Sequence, residues 1–343
     1  MLRRRFLEAS AAIGAAALGG RWAHAGAAQN TSDAKAAKRR IRIIMGGYSP
    51  ASTGFSLGLK MIGDRLASQF GDEVEIKYVY NILDLGYRGE DIVWLVESGV
   101  LTLGYQSSSY FTERVPELGI ADLPFLFSDS QTARAAMDGK LGAALTAKIE
   151  AAMNFRVAGY FENGFRHVSN RLRPIRMPAD MKGMTIRVLP SKVQERTFQL
   201  LGANPKVMDL TEAIEAIKAD RIDAQENPFA NTVTYGVHKY HRFHSATNHF
   251  YLSRPIFIHR PSFNSWPRPL QDALLEAVRA AIPTQRDRHE KEEVEAMVAI
   301  RKEGGEIVEL TAAEHQAFAT AVAPIYDEAR AQYGRELMKL VNR

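Results

Sequence analysis

The chain has 343 residues, which is more than a domain with a single hydrophobic core usually has, so we expect one large domain or two lobes. Because 46% of the residues are hydrophobic, we expect a soluble globular protein. It contains no cysteine, which excludes disulfides, thiolate metal sites, iron–sulfur clusters and a cysteine nucleophile. The formal net charge is +5, but residues 1–25 and 26–40 carry +3 each, so the rest carries −1 and no nucleic-acid-binding surface is indicated.

Residues 1–25 have the three parts of a targeting peptide. Residues 3–7 (RRRFL) fit the twin-arginine pattern, residues 9–20 are rich in Ala and Gly, and residues 23–25 (AHA) form a cleavage signature. The middle part is too short to span a bilayer, which takes roughly 20 apolar residues. We therefore expect a twin-arginine signal peptide, a disordered tail over 26–40 and a periplasmic mature protein. The alternative is a cytosolic protein with an unusual N-terminus.

Beyond residue 40, short apolar runs alternate with helical patterns, which indicates an α/β fold. Strands are predicted at 41–45, 74–80, 101–105, 157–161, 184–188 and 222–224. Helices are predicted around 57–66, at 91–98, and in the C-terminal third at 270–302 and 312–341.

Two further helix starts carry capping signals. Ser191 and Gln194 have the spacing of a capping box, and Gly202 stands where that helix should end. Asp209 and Glu212 have the same spacing at the start of a second helix. We therefore expect short helices that begin after Ser191 and after Asp209.

Polar side chains follow the carboxyl ends of several predicted strands, which is where open α/β sheets bind ligands. The groups are mostly hydroxyls and amides with one guanidinium, and such groups hold a polar anion rather than attack it. They are Tyr48 after the first strand, Gln106, Ser107 and Tyr110 after the third, Arg187 near the end of the fifth, and Glu226 and Asn227 after the last.

Arg187 gives the sharpest of these signals. The apolar residues of 184–188 share one strand face, so Arg187 points to the other face, next to the helix that opens at Ser191. A guanidinium matches a carboxylate in a bidentate pair, which lysine cannot reproduce. Arg187 is therefore a candidate to hold a carboxylate ligand.

Arg166 follows the polar turn of residues 162–164 and is a candidate for a second charge in the same pocket. The alternative for both arginines is that they pair with internal acids, of which Glu162 and Glu226 are the obvious candidates.

Several short segments form a specific combination, although each alone would be weak. They are NGFR (163–166), PI (174–175), MKGMTIRV (181–188), GANP (202–205), Glu212, DAQENP (223–228), VHKY (237–240) and TNH (247–249), with VPE (115–117) and DLPFLF (122–127) earlier in the chain. In this combination the chain resembles the DctP-like solute-binding subunits of tripartite ATP-independent periplasmic (TRAP) transporters. The resemblance covers most of residues 41–343.

The resemblance implies an α/β fold of the two-lobed periplasmic binding protein class, type II-like, with hinge strands and a long lobe-spanning helix. Lobe I would contain residues 41–163 plus about 252–289. Lobe II would contain residues 164–251 plus about 290–343. The lobes of such proteins close on a small organic acid.

The resemblance also assigns roles within the site. The arginine of the KGxxIRV motif, here Arg187, would pair with the ligand carboxylate. Arg166 would assist, and Asn227 would contribute an amide. We expect Gln106, Ser107, Tyr110, Leu210, Glu226 and Tyr48 to complete the site.

Three departures from the family pattern bear on the ligand. Ser107 and Tyr110 stand where sialic-acid-binding relatives carry Glu and Arg, which argues against a sialic acid. Glu226 and Asn227 stand where relatives that bind keto acids through a metal ion carry Glu and Trp, which argues against a metal-bridged carboxylate. Leu210 occupies an often aromatic position, so a less aromatic wall is expected.

Four histidines within twelve residues, at 238, 241, 244 and 249, suggest a metal site. The first three would spread over about 120° of a helix, however, and no carboxylate intervenes. We therefore expect no metal ion. The sequence also contains no nucleotide-binding, metalloprotease or hydrolase motif, and we expect no cofactor.

The sequence therefore predicts a periplasmic solute-binding subunit that captures a small organic acid and delivers it to TRAP membrane permease subunits, without catalysis. We expect a monomer that does not span the membrane itself and does not bind nucleic acid. Two alternatives stay open. One is a sensory protein of the same fold that feeds a membrane receptor. The other is a cofactor-carrying enzyme, because the twin-arginine route exports folded proteins.

Overall fold

A computed structural model describes residues 40–341. The predicted signal peptide, and the predicted tail up to residue 39, lie outside the described residues. Within the described range, no helix has both the length and the apolar character that crossing a membrane requires.

The described residues form one nine-stranded mixed sheet. The strands are β1 (Ile41–Gly46), β2 (Val74–Val79), β3 (Leu103–Tyr105), β4 (Phe155–Asn170), β5 (Thr185–Val188), β6 (Asn204–Val207), β7 (Ala224–Asn227), β8 (Phe243–His259) and β9 (Glu306–Glu309). Their order is β2-β1-β3-β8-β4-β7-β5-β6, with β9 beside β8. The two outer groups, β2-β1-β3 and β7-β5-β6, are parallel, and β4 and β8 run antiparallel between them.

The helices lie between successive strands or follow the last one. They are α1 (Gly54–Phe70), α2 (Asp91–Glu97), α3 (Ser130–Asp138), α4 (Lys140–Ala152), α5 (Lys192–Leu200), α6 (Leu210–Lys218), α7 (Phe229–Thr234), α8 (Arg260–Ser265), α9 (Arg268–Lys302), α10 (Ala312–Val322) and α11 (Pro324–Lys339).

Two separate apolar clusters divide the sheet into two lobes. The first contains apolar residues of β1, β2 and β3, and the second contains those of β5 and α5. The long strands β4 and β8 contribute to both, because Phe161 and Phe257 belong to the first cluster and Val168 and Phe250 to the second. The two-lobed α/β fold with crossing strands is confirmed.

Helix α9 also spans the lobes. Leu274 and Ala281 pack in the first cluster, whereas Ala296 and Ile300 pack against Phe229 of α7 in a separate group. This long helix is the one that the sequence predicts at 270–302.

The C-terminal segment packs on both lobes. Phe318 of α10 belongs to the second cluster, and Ile325 and Ala329 of α11 belong to the first. The residue ranges given above for the lobes stay a prediction.

The crossing strands differ most from the sequence prediction. Strand β4 has 16 residues where five were predicted, and β8, with 17 residues, was not predicted as a strand. The β4–β8 pairing shifts register at three places, and Gly159 and Gly164 adopt positive φ at two of them. Each bulge breaks the alternation of apolar and polar residues by which a strand is predicted.

Two local predictions are corrected. The predicted last strand is shifted: β7 begins at Ala224, so Glu226 and Asn227 lie within the strand rather than after it. The capping box at Ser191 is wrong, because its hydroxyl makes no capping hydrogen bond with α5 and Gln194 Oε1 instead accepts from the backbone N–H of Leu189 at 3.3 Å. The helix predicted there is present as α5.

Candidate ligand-binding site

Arg187 lies in β5 between β6 and β7, and only 1% of its surface is exposed. Its Nε donates to the carbonyl oxygen of Met208 at 3.0 Å, and its Nη2 donates to the hydroxyl of Tyr110 at 3.2 Å. Among the described residues, no carboxylate forms an ion pair with it. The guanidinium is therefore held in place by neutral groups.

Tyr110 connects Arg187 to the carboxylate of Asp209. The tyrosine hydroxyl donates to Asp209 Oδ1 at 3.4 Å. Burial raises the pKa of Tyr110 well above its ordinary value, and the charge of Arg187 opposes the rise. Tyr110 is therefore neutral at any physiological pH and acts as a polar spacer between the two charges.

Asp209 satisfies backbone groups of both lobes. It caps α6 by accepting from the N–H of Thr211 at 2.9 Å, and it accepts from the N–H groups of Gly89 and Glu90 at 3.2 and 2.9 Å. Three backbone donors thus share the charge of this carboxylate, and two of them lie on the opposite side of the crevice.

Arg166 is bound to Glu226 by three hydrogen bonds, and both side chains are fully buried. Its Nη2 donates to the carbonyl oxygen of Glu226 at 2.6 Å and to Oε1 at 2.7 Å, and Nε donates to Oε2. Burial raises the pKa of Glu226, but Arg166 and His249 outweigh it and hold this pKa below its ordinary range. Pairing with an internal acid, the alternative raised for both arginines, is therefore seen for Arg166.

Glu162, the other internal acid considered for these arginines, binds a different arginine. Nε of Arg134 donates to its Oε2 at 2.6 Å. Arg187 pairs with neither Glu162 nor Glu226. The two predicted arginines thus differ in what balances their charge.

The predicted amides are engaged within the protein. Gln106 donates from Nε2 to the carbonyl oxygen of Gly89 at 2.6 Å and accepts from the N–H of Ser107 at 2.8 Å. Asn227 donates from Nδ2 to Gln225 Oε1 at 3.3 Å. The hydroxyl of Ser107, by contrast, is buried without a partner.

Arg254 in β8 is a third buried arginine that the sequence analysis did not identify. It is 3% exposed, and its Nε and Nη1 have no hydrogen-bond partner. Its guanidinium carbon lies 4.0 Å from the ring centre of Phe55, 5.0 Å from that of Tyr48 and 5.8 Å from that of Tyr105. The available sequence signal was a single arginine within the apolar run of 250–258.

Tyr48 therefore lies beside Arg254 rather than beside Arg187. Its ring centre is 5.4 Å from that of Tyr105, whose hydroxyl is 2.7 Å from the hydroxyl of Ser49. The expectation of a less aromatic wall at Leu210 stays a prediction, and Tyr48, Phe55 and Tyr105 form an aromatic wall around Arg254.

Tyr235 lies within electrostatic range of all three buried arginines. Burial raises the pKa of its hydroxyl, and Arg254, Arg187 and Arg166 each oppose that rise. Tyr235 therefore lies near all three guanidinium groups.

The crevice is closed in this structure. Thr112 Oγ1 donates to the carbonyl oxygen of Pro190 at 2.7 Å, and Leu210 of α6 packs in the apolar cluster of the first lobe. All nine predicted site residues are buried except Tyr110, which is partly exposed. Surface cavities of about 260 to 730 Å³ lie elsewhere and contain none of these residues.

Two of the clustered histidines, His241 and His244, pack as neutral side chains. Burial lowers the pKa of His241 to about 3 and that of His244 to about 4. His241 Nδ1 lies 2.9 Å from the hydroxyl of Ser169, and His244 Nε2 donates to the carbonyl oxygen of His241 at 2.9 Å. Over residues 40–341, no three His, Asp or Glu side chains are grouped as metal ligands would be.

The family model of bacterial extracellular solute-binding proteins, family 7 (DctP), matches residues 45–332. The 2,3-diketo-L-gulonate-binding periplasmic protein YiaO of Escherichia coli is 28% identical over 277 residues, which cover 80% of this chain and 83% of that protein. The C4-dicarboxylate-binding periplasmic protein DctP of Rhodobacter capsulatus is 28% identical over 228 residues, which cover 66% of this chain and 68% of that protein.

Solved structures share the fold. A TRAP periplasmic solute binding protein of Sulfurospirillum deleyianum, solved with bound succinate, has a TM-score of 0.82 at 25% identity and covers 88% of this chain and 98% of its own. The sugar acid binding protein DctPAm of Advenella mimigardefordensis, in complex with galactonate, has a TM-score of 0.84 at 23% identity and covers 89% of this chain and 97% of its own.

Proposed function

The chain belongs to family 7 of the bacterial extracellular solute-binding proteins, and we propose that it is the solute-binding subunit of a TRAP transporter that closes on a small organic acid. In this proposal Arg187 binds the carboxylate of the acid. The closed lobes then present the acid to the membrane permease subunits. The protein acts as a monomer and catalyses no reaction.

The state of Arg187 carries the proposal. A buried guanidinium is costly unless an anion pairs with it, and the described residues provide no direct carboxylate partner for Arg187. Its contacts with Met208 and Tyr110 orient it without neutralising it. A ligand carboxylate would complete the pair through charge-assisted hydrogen bonds, which are stronger in a water-poor crevice.

The relatives support an acid as the ligand. Succinate and galactonate, bound in the two similar structures, are carboxylates, as are C4-dicarboxylates and 2,3-diketo-L-gulonate, named for the two curated relatives. These ligands differ in length and in hydroxyl content, but each of them contains at least one carboxylate group. In this proposal Arg187 binds that common group.

The contacts between the lobes support closure as the physical event. Asp209 accepts from Gly89 and Glu90 across the crevice, and Thr112 donates to Pro190. These bonds require the lobes to be close together, so a ligand held between them favours the closed form. We place the mature protein in the periplasm, with export by the twin-arginine route through residues 3–7.

A thermal-shift panel of the purified protein tests the proposal. We expect at least one organic acid among mono- and dicarboxylates, sugar acids and keto acids to stabilise the fold. A ligand at 100 times its Kd adds about 2.7 kcal/mol, which is easily detected. Neutral sugars of the same carbon number serve as matched controls. Stabilisation by a sugar or an inorganic cation, with none by any carboxylate, would overturn the proposal.

A further inference from the structure

A chain of three buried polar side chains crosses from one lobe to the other. Ser109 and Asp122 lie between β3 and α3, among residues such as Phe111 that belong to the first apolar cluster. Gln194 lies in α5, one turn before Phe198 of the second cluster. All three polar side chains are fully buried, so water does not satisfy them in the closed structure.

The hydrogen bonds of this chain run in one direction. Gln194 Nε2 donates to Ser109 Oγ at 3.0 Å, and the Ser109 hydroxyl donates to Asp122 Oδ1 at 3.0 Å. A serine hydroxyl has one hydrogen, so while it donates to Asp122 it can only accept from Gln194. Gln194 Oε1 accepts from the backbone N–H of Leu189 at 3.3 Å, which uses the other end of the amide. The orientation of the Gln194 amide is therefore fixed at both ends.

The chain adjoins the two residues that meet at the proposed carboxylate site. Tyr110 follows Ser109 directly, and its hydroxyl accepts from Arg187 Nη2 at 3.2 Å. Leu189 comes two residues after Arg187, just beyond the end of β5. Gln194 thus connects the segment that carries Tyr110 in one lobe to the segment that carries Arg187 in the other.

Asp122 is the acidic end of the chain. Burial raises its pKa to about 7, and hydrogen bonding by Ser191 and Ser109 opposes the rise. At pH 8 the carboxylate is therefore mainly ionised and takes the Ser109 hydrogen, which leaves Gln194 as the donor to Ser109. Charged or titratable side chains within electrostatic range of Asp122 come from β7, β4 and α11, and they are Glu226, Arg166 and Tyr333.

The chain can form only where the lobes meet, and it is satisfied only as a whole. A buried polar group that loses its partner costs more than the lost contact, because water cannot replace the partner. One arrangement of the closed lobes satisfies Asp122, Ser109, Gln194 and the N–H of Leu189 together. The chain therefore favours that arrangement over other ways of bringing the lobes into contact.

We infer that Asp122, Ser109 and Gln194 form a polar latch, which holds the closed lobes together around the ligand. Gln194 is the positioning residue of the latch, because its amide sets the segment of Tyr110 against that of Arg187. The inference rests on the proposed function and adds to it the contact by which the closed form is selected.

The variant Gln194→Glu tests the latch, because it keeps the shape of the side chain and its acceptor for Leu189 but loses the donor. At pH 8.0 two carboxylates would then flank Ser109, whose single hydrogen serves only one of them. We expect the variant to bind at least about 30-fold more weakly than wild type at this pH. At pH 5.5 a bound proton supplies the missing donor, and we expect affinity within about threefold of wild type at the same pH.

Calorimetric titration measures these affinities, and the probe is the carboxylate that stabilises wild type most in the thermal-shift panel. Gln199→Glu, the same change at an exposed position of α5, is the matched control and should alter affinity less than about twofold at both pH values. Circular dichroism and the unfolding temperature check that each variant is folded.

A double-mutant cycle provides a second test that does not depend on the new carboxylate. Gln194→Met and Ser109→Ala should each weaken binding about tenfold at both pH values, without recovery at pH 5.5. The double variant should bind no more than about twofold more weakly than the weaker single variant, because both changes break one contact.

The outcomes separate the two proposals. If Gln194→Glu loses the same affinity at both pH values, if it binds within threefold of wild type at pH 8.0, or if the two losses in the cycle add fully, the latch is wrong and the solute-binding function stands. If no carboxylate of the panel binds wild type while a neutral sugar does, the proposed function itself is wrong, and the latch is wrong with it.

Discussion

Arg166 and Arg187 lie in the same lobe and are equally buried, yet only one of them has an acidic partner. Arg166 makes three hydrogen bonds with Glu226, whereas Arg187 is held by a backbone carbonyl and a phenol. A buried charge that is paired within the chain can be kept without a large cost to the fold. A buried charge without such a partner is available to a ligand. The comparison therefore indicates a structural part for Arg166 and is the basis for the binding part that we propose for Arg187.

Glu226→Gln would remove the difference by leaving Arg166 without its acid. We expect the free energy of unfolding to fall by about 3 to 5 kcal/mol, because breaking a buried pair leaves an uncompensated charge. Urea unfolding at pH 7 measures the change. The control is Glu328→Gln, which breaks the pair with Arg196 where both side chains are exposed, and it should cost no more than about 1 kcal/mol. Equal losses would show that the Arg166–Glu226 pair is not special.

The pH dependence of the same variant sharpens this comparison. The folded protein holds the pKa of Glu226 below 4.5, so the pair contributes its stability above about pH 4.5 and loses it as the pH falls through the lowered pKa. We expect the difference in unfolding free energy between wild type and Glu226→Gln to shrink below pH 4.5. The difference should fall by up to about 1.4 kcal/mol for each pH unit. A difference that stays constant from pH 6 to pH 3 would contradict this account of the pair.

Asp209 tests the binding side of the comparison, since it links the lobes and reaches Arg187 through Tyr110. We expect Asp209→Ala to lower the free energy of unfolding by about 1 kcal/mol through loss of the helix cap, and to weaken ligand binding about tenfold through loss of the cross-lobe bonds.

Asp129→Ala is the matched control, because Asp129 caps α3 by accepting from Thr132 at 2.7 Å and is exposed. It should lose similar stability and no affinity. Equal effects of the two variants on binding would mean that the bonds from Asp209 to the first lobe do not support closure.

Much of the fold was predictable from the sequence because the short parallel strands β1, β2 and β5 show an apolar run or an alternation of apolar and polar residues, followed by turn or helix signals. The position of Arg187 was predictable for the same reason: it lies on the strand face opposite the apolar residues of 184–188, within a segment that matches the family pattern. Where a strand is regular, the position of a polar side chain follows directly from the period of two.

The crossing strands and Arg254 were not predictable in this way. The bulges near Gly159 and Gly164 shift the alternation of β4, and β8 is buried along most of its length, so its polar residues do not mark a solvent face. The partner of Arg166 depends on the pairing of β4 with β7, a contact between residues 60 positions apart. Sequence spacing alone left Glu162 and Glu226 as equal candidates.

The most direct test of the central claim compares stability and binding in Arg187→Gln. The tightest carboxylate found for the wild type is titrated by calorimetry into the variant, and urea unfolding of both proteins is measured without ligand. The account predicts an affinity loss of at least about 100-fold, with the ligand-free unfolding free energy within about 1 kcal/mol of the wild type. Affinity within threefold of the wild type, or a destabilisation as large as that of Glu226→Gln, would contradict it.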